Sequence, residues 1–348
     1  MTLILHLGAP KCGSSALQTA LSAHPKMPLN DGRVIRYGII RPDGRVRRIT
    51  RRDAKATVTG YRVSATAAEL AQAGITALTG SRPASNETLI LSHEDWLLHP
   101  FTLPELAAAF DKDITVVVYL RPQPGWWNSA WWQWWAWTDL DFEKCFKINP
   151  AWSKALSVWK KRLPQARFRF RVLPGDVVRD FYENVLEAPQ PHGLEVLSNR
   201  GLPSVLLRLY QRNRVLRPGP DDHMIDFILS RRLNLQGPSP WVLGPGRISR
   251  MLARNAGENR RLQAMLDPDA AETMEADERW WRLRAYGHLR AEPHQPGEID
   301  AAALADLHRH LSMASRRLIR PVSSPQDPAE TEAECVEMIL KMKRQQSA

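Results

Sequence analysis

The stretch Thr2-Leu-Ile-Leu-His-Leu-Gly-Ala-Pro-Lys-Cys-Gly-Ser-Ser15 decides the fold. Thr2 to Leu7 is nearly all apolar, which predicts a short strand buried on both faces and closed by Gly8. Beyond Gly13, Leu17, Ala20 and Leu21 share one side of a predicted helix. A strand that ends in a glycine-containing loop and opens a helix outlines an anion site. The first helical N–H groups lack intrahelical partners and lie at the positive end of the helix dipole. Lys11 adds a point charge, Ser14 and Ser15 add hydroxyls, and Gly13 lets the backbone approach a ligand closely. The loop is not a Walker A sequence, in which Lys directly precedes Ser or Thr after a longer glycine-bounded spacer.

Working outward, Thr88–Leu91, Ile114–Leu120 and Phe168–Leu173 read as further strands, the second rich in β-branched residues. The strand Ile114–Leu120 stops at Arg121-Pro122, and a helix is expected from about Pro124. Pro174-Gly175-Asp176 leads into a helix predicted over Val177–Leu186. Strands alternating with helices predict an α/β fold with a parallel sheet flanked by helices on both faces. Downstream the pattern is mostly helical, over Ser204–Asn213, Asp222–Arg232, Arg247–Leu266 and Glu278–Leu289. The polar, Pro-containing stretch Glu292–Glu298 predicts a linker, dividing the chain into a main domain, 1–290, and a C-terminal helical extension, 291–348.

The 348 residues include 48 Lys+Arg and 37 Asp+Glu, a formal charge of +11, with 43% hydrophobic and 24% charged residues. This is globular composition. No apolar run reaches the roughly 18 residues of a membrane span, and Leu3–Leu7 is too short for a signal-peptide core, so a cytoplasmic protein is expected. Cys12, Cys145 and Cys335 cannot all pair, and no Cys/His spacing suits zinc. His308-Arg309-His310 reads as a solvated face, and no metal is expected. Residues 41–55 carry Arg41, Arg45, Arg47, Arg48, Arg51, Arg52 and Lys55 against Asp43 and Asp53. Such a segment favours anionic partners, though a solubilising hairpin turning at Arg41-Pro-Asp-Gly-Arg45 explains it as well. No nucleic-acid-binding motif accompanies the charge, so no nucleic acid partner is expected.

The loop Leu5-His-Leu-Gly-Ala-Pro-Lys-Cys-Gly-Ser-Ser15 resembles the 5′-phosphosulfate loop of PAPS-dependent sulfotransferases, especially the bacterial group with a Pro-Lys-Thr-Gly-Ser/Thr loop. Val117-Val-Tyr-Leu-Arg-Pro-Gln123 followed by Trp126-Trp-Asn-Ser129 resembles the family's 3′-phosphate segment. The likeness is best over 1–24 and 86–140 and continues weakly through 175–181 and 198–202. It implies a P-loop-like fold with PAPS (3′-phosphoadenosine 5′-phosphosulfate) across the strand C-termini and no metal. Pro10, Lys11, Cys12, Gly13, Ser14 and Ser15 would then cradle the 5′-phosphosulfate. Lys11 would also stabilise the departing phosphate, and Arg121 and Ser129 would hold the 3′-phosphate. Cys12 stands where the family usually has Thr; a reactive thiol there is the alternative role. The resemblance offers Glu94 as the base that deprotonates the acceptor hydroxyl, with His93 as the alternative. The implied reaction moves a sulfuryl group to a hydroxyl, with a carbohydrate or glycolipid as the expected acceptor.

Of 13 Trp residues, seven lie in 126–137. On a helical wheel Trp127, Trp131, Trp134 and Trp135 fall together as a packing face, leaving Trp126 or Trp137 as a platform for a sugar ring. Two other functions compete. A Mg²⁺-dependent nucleotide kinase or NTPase would need a carboxylate at a strand end to hold the metal, where Ile114–Leu120 instead ends in Arg121. A non-catalytic polyanion-binding protein would rely on 41–55.

Overall fold

The computed structural model describes residues 2–29, 31–55, 61–72, 84, 86–101, 113–191, 201–235, 237–315 and 327–347. It divides into two compact units, the first built from 1–126, 150–199 and 249–285 and the second from 127–149, 200–248 and 286–348.

The first unit holds a seven-stranded sheet: β1 (Thr2–Leu7), β2 (Lys26–Pro28), β3 (Val34–Ile40), β4 (Val46–Arg48), β5 (Glu87–His93), β6 (Ile114–Leu120) and β7 (Arg167–Val172). Their order is β2-β3-β5-β1-β6-β7, with β4 also paired to β3. β3, β5, β1, β6 and β7 run parallel. β2 and β4 pair antiparallel with the outer side of β3, so the sheet is mixed and mostly parallel, where a purely parallel one was expected. The β3–β4 pair forms the hairpin that the turn at 41–45 suggested, and β3 itself went unpredicted because Arg36 and Gly38 interrupt its apolar run.

β1 is central. Leu3, Leu5 and Leu7 are fully buried, each contributing roughly 1.5–3 kcal/mol on burial. Leu3 and Leu5 pair with Leu89 and Leu91 of β5 on one side and with Ile114 and Val116 of β6 on the other. The chain leaves β1 through α1 (Ser14–Ala23), fills the β3–β5 side, then crosses to β6 on the opposite side of β1. That reversal is a topological switch point, and open α/β sheets bind ligands beyond the strand C-termini at such a point. The C-terminal ends of β1, β5 and β6 and the loops after them carry the expected site residues 10–15, 93–94 and 121 to that end of the sheet.

Several polar groups buried in this unit are paired across elements. His6 Nδ1 meets Ser92 Oγ at 2.7 Å, and Gln18 Nε2 donates to the same oxygen at 3.2 Å, tying β1, β5 and α1 together. Tyr119 donates to Asp180 Oδ1 at 2.8 Å, and Arg171 Nε reaches the same atom at 2.9 Å.

The second unit is built on tryptophan. Trp127, Trp131, Trp132, Trp135 and Trp137 are buried. Indole N–H groups of Trp127, Trp132 and Trp137 donate to the carbonyls of Cys145, Pro240 and Trp132 at 3.0, 2.7 and 2.8 Å. Arg217, also buried, lies 4.7 Å over the Trp137 ring and pairs with Asp226. The C-terminal helices Ala301–Ser315 and Pro328–Ser347 belong to this unit. His308 there bonds Glu334 at 2.7 Å. Two downstream expectations change. Glu278–Leu289 is not one helix but two short 3-10 turns, Glu278–Trp280 and Leu283–Tyr286. Asp222–Arg232 narrows to Met224–Phe227 running into a π turn, Ile228–Arg232. Among the described residues no helix is long and apolar enough to cross a membrane.

Candidate anion-binding site at the end of the central strand

Ala9-Pro10-Lys11-Cys12 forms a tight turn in which the Cys12 N–H donates to the Ala9 carbonyl at 3.1 Å. Pro10 occupies the second position, with its φ fixed near −65°, and Lys11 the third, with φ +64°. That is the type II pattern, whose third position normally takes glycine. A lysine there bears roughly 1–2 kcal/mol of strain. Among the described residues only Glu187 and Asn234 are other non-glycines with positive φ, and both follow the ends of helical segments, where that conformation is common. Lys11 has no such excuse.

Gly13 follows with φ +89° and caps α1. A Cβ on it would approach Val177 Cγ1 to 3.0 Å. No side chain caps the helix start at Gly13. Ser14 is 3% exposed, and its hydroxyl oxygen is buried with no hydrogen-bond partner. An orphaned hydroxyl costs about 1–3 kcal/mol. At an uncapped helix start, that oxygen and the first N–H groups make a donor set for an anion. Gly8 is a steric necessity: a Cβ would lie 2.5 Å from Ser14 Oγ, 2.6 Å from Glu94 Cα and 2.7 Å from the His93 carbonyl oxygen. The close approach brings the end of β5 against the loop.

Two side chains from the segment after β6 fasten the loop. Arg121 Nη1 donates to the Lys11 carbonyl at 3.2 Å, and the Trp126 indole N–H donates to the Pro10 carbonyl at 3.0 Å. The Arg121 guanidinium lies over Gly125, whose absent Cβ would be 3.2 Å from Nε. Trp152 meets Trp126 edge-on, with ring centroids 6.1 Å apart, and donates to the Arg121 carbonyl at 3.2 Å.

The structure therefore gathers Pro10, Lys11, Cys12, Gly13, Ser14, Ser15 and Arg121 in the first unit, with Glu94 and His93 beside Gly8. Ser129 falls in the second unit, half-buried on the helix Gln123–Gln133. The surroundings of Cys12 do not favour a reactive thiol. Burial pushes its pKa up to about 12, outweighing the opposite pull of Arg121 and Lys11. His93 is buried, and burial lowers its pKa against the influence of Glu94, Asp95 and Glu69. Its Nδ1 accepts the Asp95 N–H at 3.0 Å, so the neutral ring carries its proton on Nε2 and is poorly placed to accept another. Glu94 is exposed.

The sugar-platform reading of Trp126 and Trp137 is overturned. Both rings are buried, at 4% and 1% exposure, and of the seven tryptophans in 126–137 it is Trp134 that keeps partial exposure. Sequence reasoning missed the loop-fastening role of Trp126 and the buried His6–Ser92–Gln18 cluster. Pro10 was the one legible hint of a turn at Lys11. No family model matches the chain, and comparison with curated proteins and with solved structures finds no match.

Proposed function

We propose that the protein is a PAPS-dependent sulfotransferase with a P-loop-like site, acting on a hydroxyl acceptor of the carbohydrate or glycolipid class. The observation that carries the reading is the uncapped start of α1, where the buried, unpartnered Ser14 hydroxyl stands beside a lysine held in a glycine conformation. Its position at the switch point of the sheet and the sequence resemblance of both segments support the same reading.

The residues present fit a phosphate-bearing donor. The helix N–H groups, Ser14 and Ser15 would hold the 5′-phosphosulfate, and the guanidinium of Arg121 offers a second cation at the loop. PAPS supplies an activated sulfuryl group when bound. The acceptor oxygen forms a bond to sulfur while the sulfur–oxygen bond to the phosphate breaks, and PAP (3′-phosphoadenosine 5′-phosphate) leaves. Lys11 neutralises the negative charge that grows on the leaving phosphate. Glu94 takes the hydroxyl proton, because its carboxylate is exposed beside the loop whereas the Nδ1 of His93 is already engaged.

Incubation with PAPS and a panel of saccharide acceptors, following PAP release and acceptor mass, tests this. Sulfated product with native protein, and about a hundredfold or greater loss in Glu94→Gln at unchanged PAP affinity, is the expected result. Nucleotide-triphosphate turnover that needs Mg²⁺, without PAPS turnover, would transfer the assignment to a kinase or NTPase.

A further inference from the structure

We infer that Trp126 is a positioning residue that holds the Pro10–Lys11 peptide in the flipped orientation of a type II turn, and so sets how Lys11 meets a ligand. Type I and type II turns share their end points and differ by rotation of the central peptide, which carries the third residue between negative and positive φ. In this turn the central peptide joins Pro10 to Lys11. Its carbonyl receives the Trp126 indole N–H at 3.0 Å. Because a trans peptide points its C=O and N–H in opposite directions, fixing the Pro10 carbonyl toward Trp126 turns the Lys11 N–H away from it. The next carbonyl, that of Lys11, is fixed in turn by Arg121 at 3.2 Å.

Left to itself, an Ala-Pro-Lys-Cys sequence would favour the type I form, in which lysine adopts an ordinary negative φ. Something must offset the strain at Lys11, and the indole bond acts on the one peptide whose rotation would relieve it. Trp126 is itself immobilised: 4% exposed, it packs edge-on to Trp152. Trp152 in turn donates to the carbonyl of Arg121, so both fastening side chains share one support.

The turn geometry stands without any ligand; its consequence for PAP rests on the function proposed above. The test separates the two. Lys11→Gly and Lys11→Ala are compared by melting temperature in the native background and again with Trp126→Phe, which keeps an edge-on aromatic contact but removes the donor. With Trp126 present, Lys11→Gly should melt above Lys11→Ala, because glycine tolerates the positive φ. On the Trp126→Phe background that order should vanish or reverse as the peptide rotates. An order that persists there overturns the inference. If Trp126→Phe does not fold, a crystal structure of the native protein decides it: a negative φ at Lys11, or no bond from Trp126 to Pro10, overturns it equally.

For the ligand, Trp126→Phe should weaken PAP three- to tenfold, about the value of one hydrogen bond. Adenosine 3′-phosphate, which lacks the 5′ group, should bind unchanged. Trp132→Phe, which removes an indole bonded to Pro240 in the second unit, should leave both affinities alone. Native protein that binds neither nucleotide defeats the sulfotransferase reading while the melting comparison still judges the turn. PAP binding undiminished in Trp126→Phe removes the ligand role.

Discussion

Two of the tight turns with proline in the second position solve the same geometric problem in opposite ways. At the tip of the β3–β4 hairpin, Arg41-Pro42-Asp43-Gly44, the Gly44 N–H donates to the Arg41 carbonyl at 2.9 Å. There the left-handed residue is Gly44, with φ +77°, and the turn costs nothing unusual. After β1, Ala9-Pro10-Lys11-Cys12 places lysine in the left-handed slot and relies on Arg121 and Trp126 to keep it there. Arg41, Arg45 and Arg47 of the hairpin are exposed and Arg48 is half-buried, and part of their charge is spent on Asp43, Asp53 and Glu87. Of these two turns, the one beside the uncapped helix retains strain that a glycine would have avoided. Backbone strain of this kind collects where a side chain must be presented in one direction.

Substitutions in the two turns should therefore diverge, most sharply in ligand binding. Lys11→Ala should lose about a hundredfold in PAP affinity by calorimetry, the scale of a charge-assisted contact. Arg45→Ala, in the hairpin, should leave that affinity unchanged; an equal loss in both would erase the distinction. Next in size are the glycines. Gly13→Ala combines an unfavourable φ with a 3.0 Å approach to Val177 Cγ1, and should cost about 2–3 kcal/mol in denaturant unfolding. Gly44→Ala carries the penalty of its φ of +77° and should cost about 1 kcal/mol.

The contrast also shows what could be read ahead of the structure. β1 and β6 were legible to the residue, because Thr2–Leu7 and Ile114–Leu120 are apolar runs that end at Gly8 and Arg121. The hairpin tip was legible through its Pro-Asp-Gly signature. β3 was not, since a strand paired on both sides can carry Arg36 when Glu87 lies within 3.2 Å. The site's inventory was visible in Lys11, Gly13 and Ser14, but its geometry was not. A positive φ at lysine depends on donors more than a hundred residues away in sequence, Arg121 and Trp126, and no local propensity encodes them. Trp126 looked like a surface platform because helical periodicity alone cannot tell solvent from a neighbouring loop.

The comparison sharpens further at smaller effects. Lys11→Gly should be about 1 kcal/mol more stable than Lys11→Ala, whereas at Asp43, whose φ is negative, alanine should be the more stable replacement. Acidification should also act beneath the β1 turn. Burial lowers the His6 pKa to about 3, so below pH 6.5 the unfolded chain takes up a proton that the folded protein refuses. Stability should fall as pH drops from 6.5 toward 3, by at most about 1.4 kcal/mol per pH unit from this group. His6→Gln should flatten that slope in pH-dependent melting, and an unaltered slope would remove His6 as its source.

The central claim is that the turn after β1 and the start of α1 bind the phosphate end of PAP. Calorimetric titration of the native protein with PAP, without metal, against ATP with Mg²⁺ tests it most directly. The account predicts saturable binding of PAP and none of comparable affinity for ATP with Mg²⁺. Binding of ATP with Mg²⁺ alone, or of neither nucleotide, would contradict it.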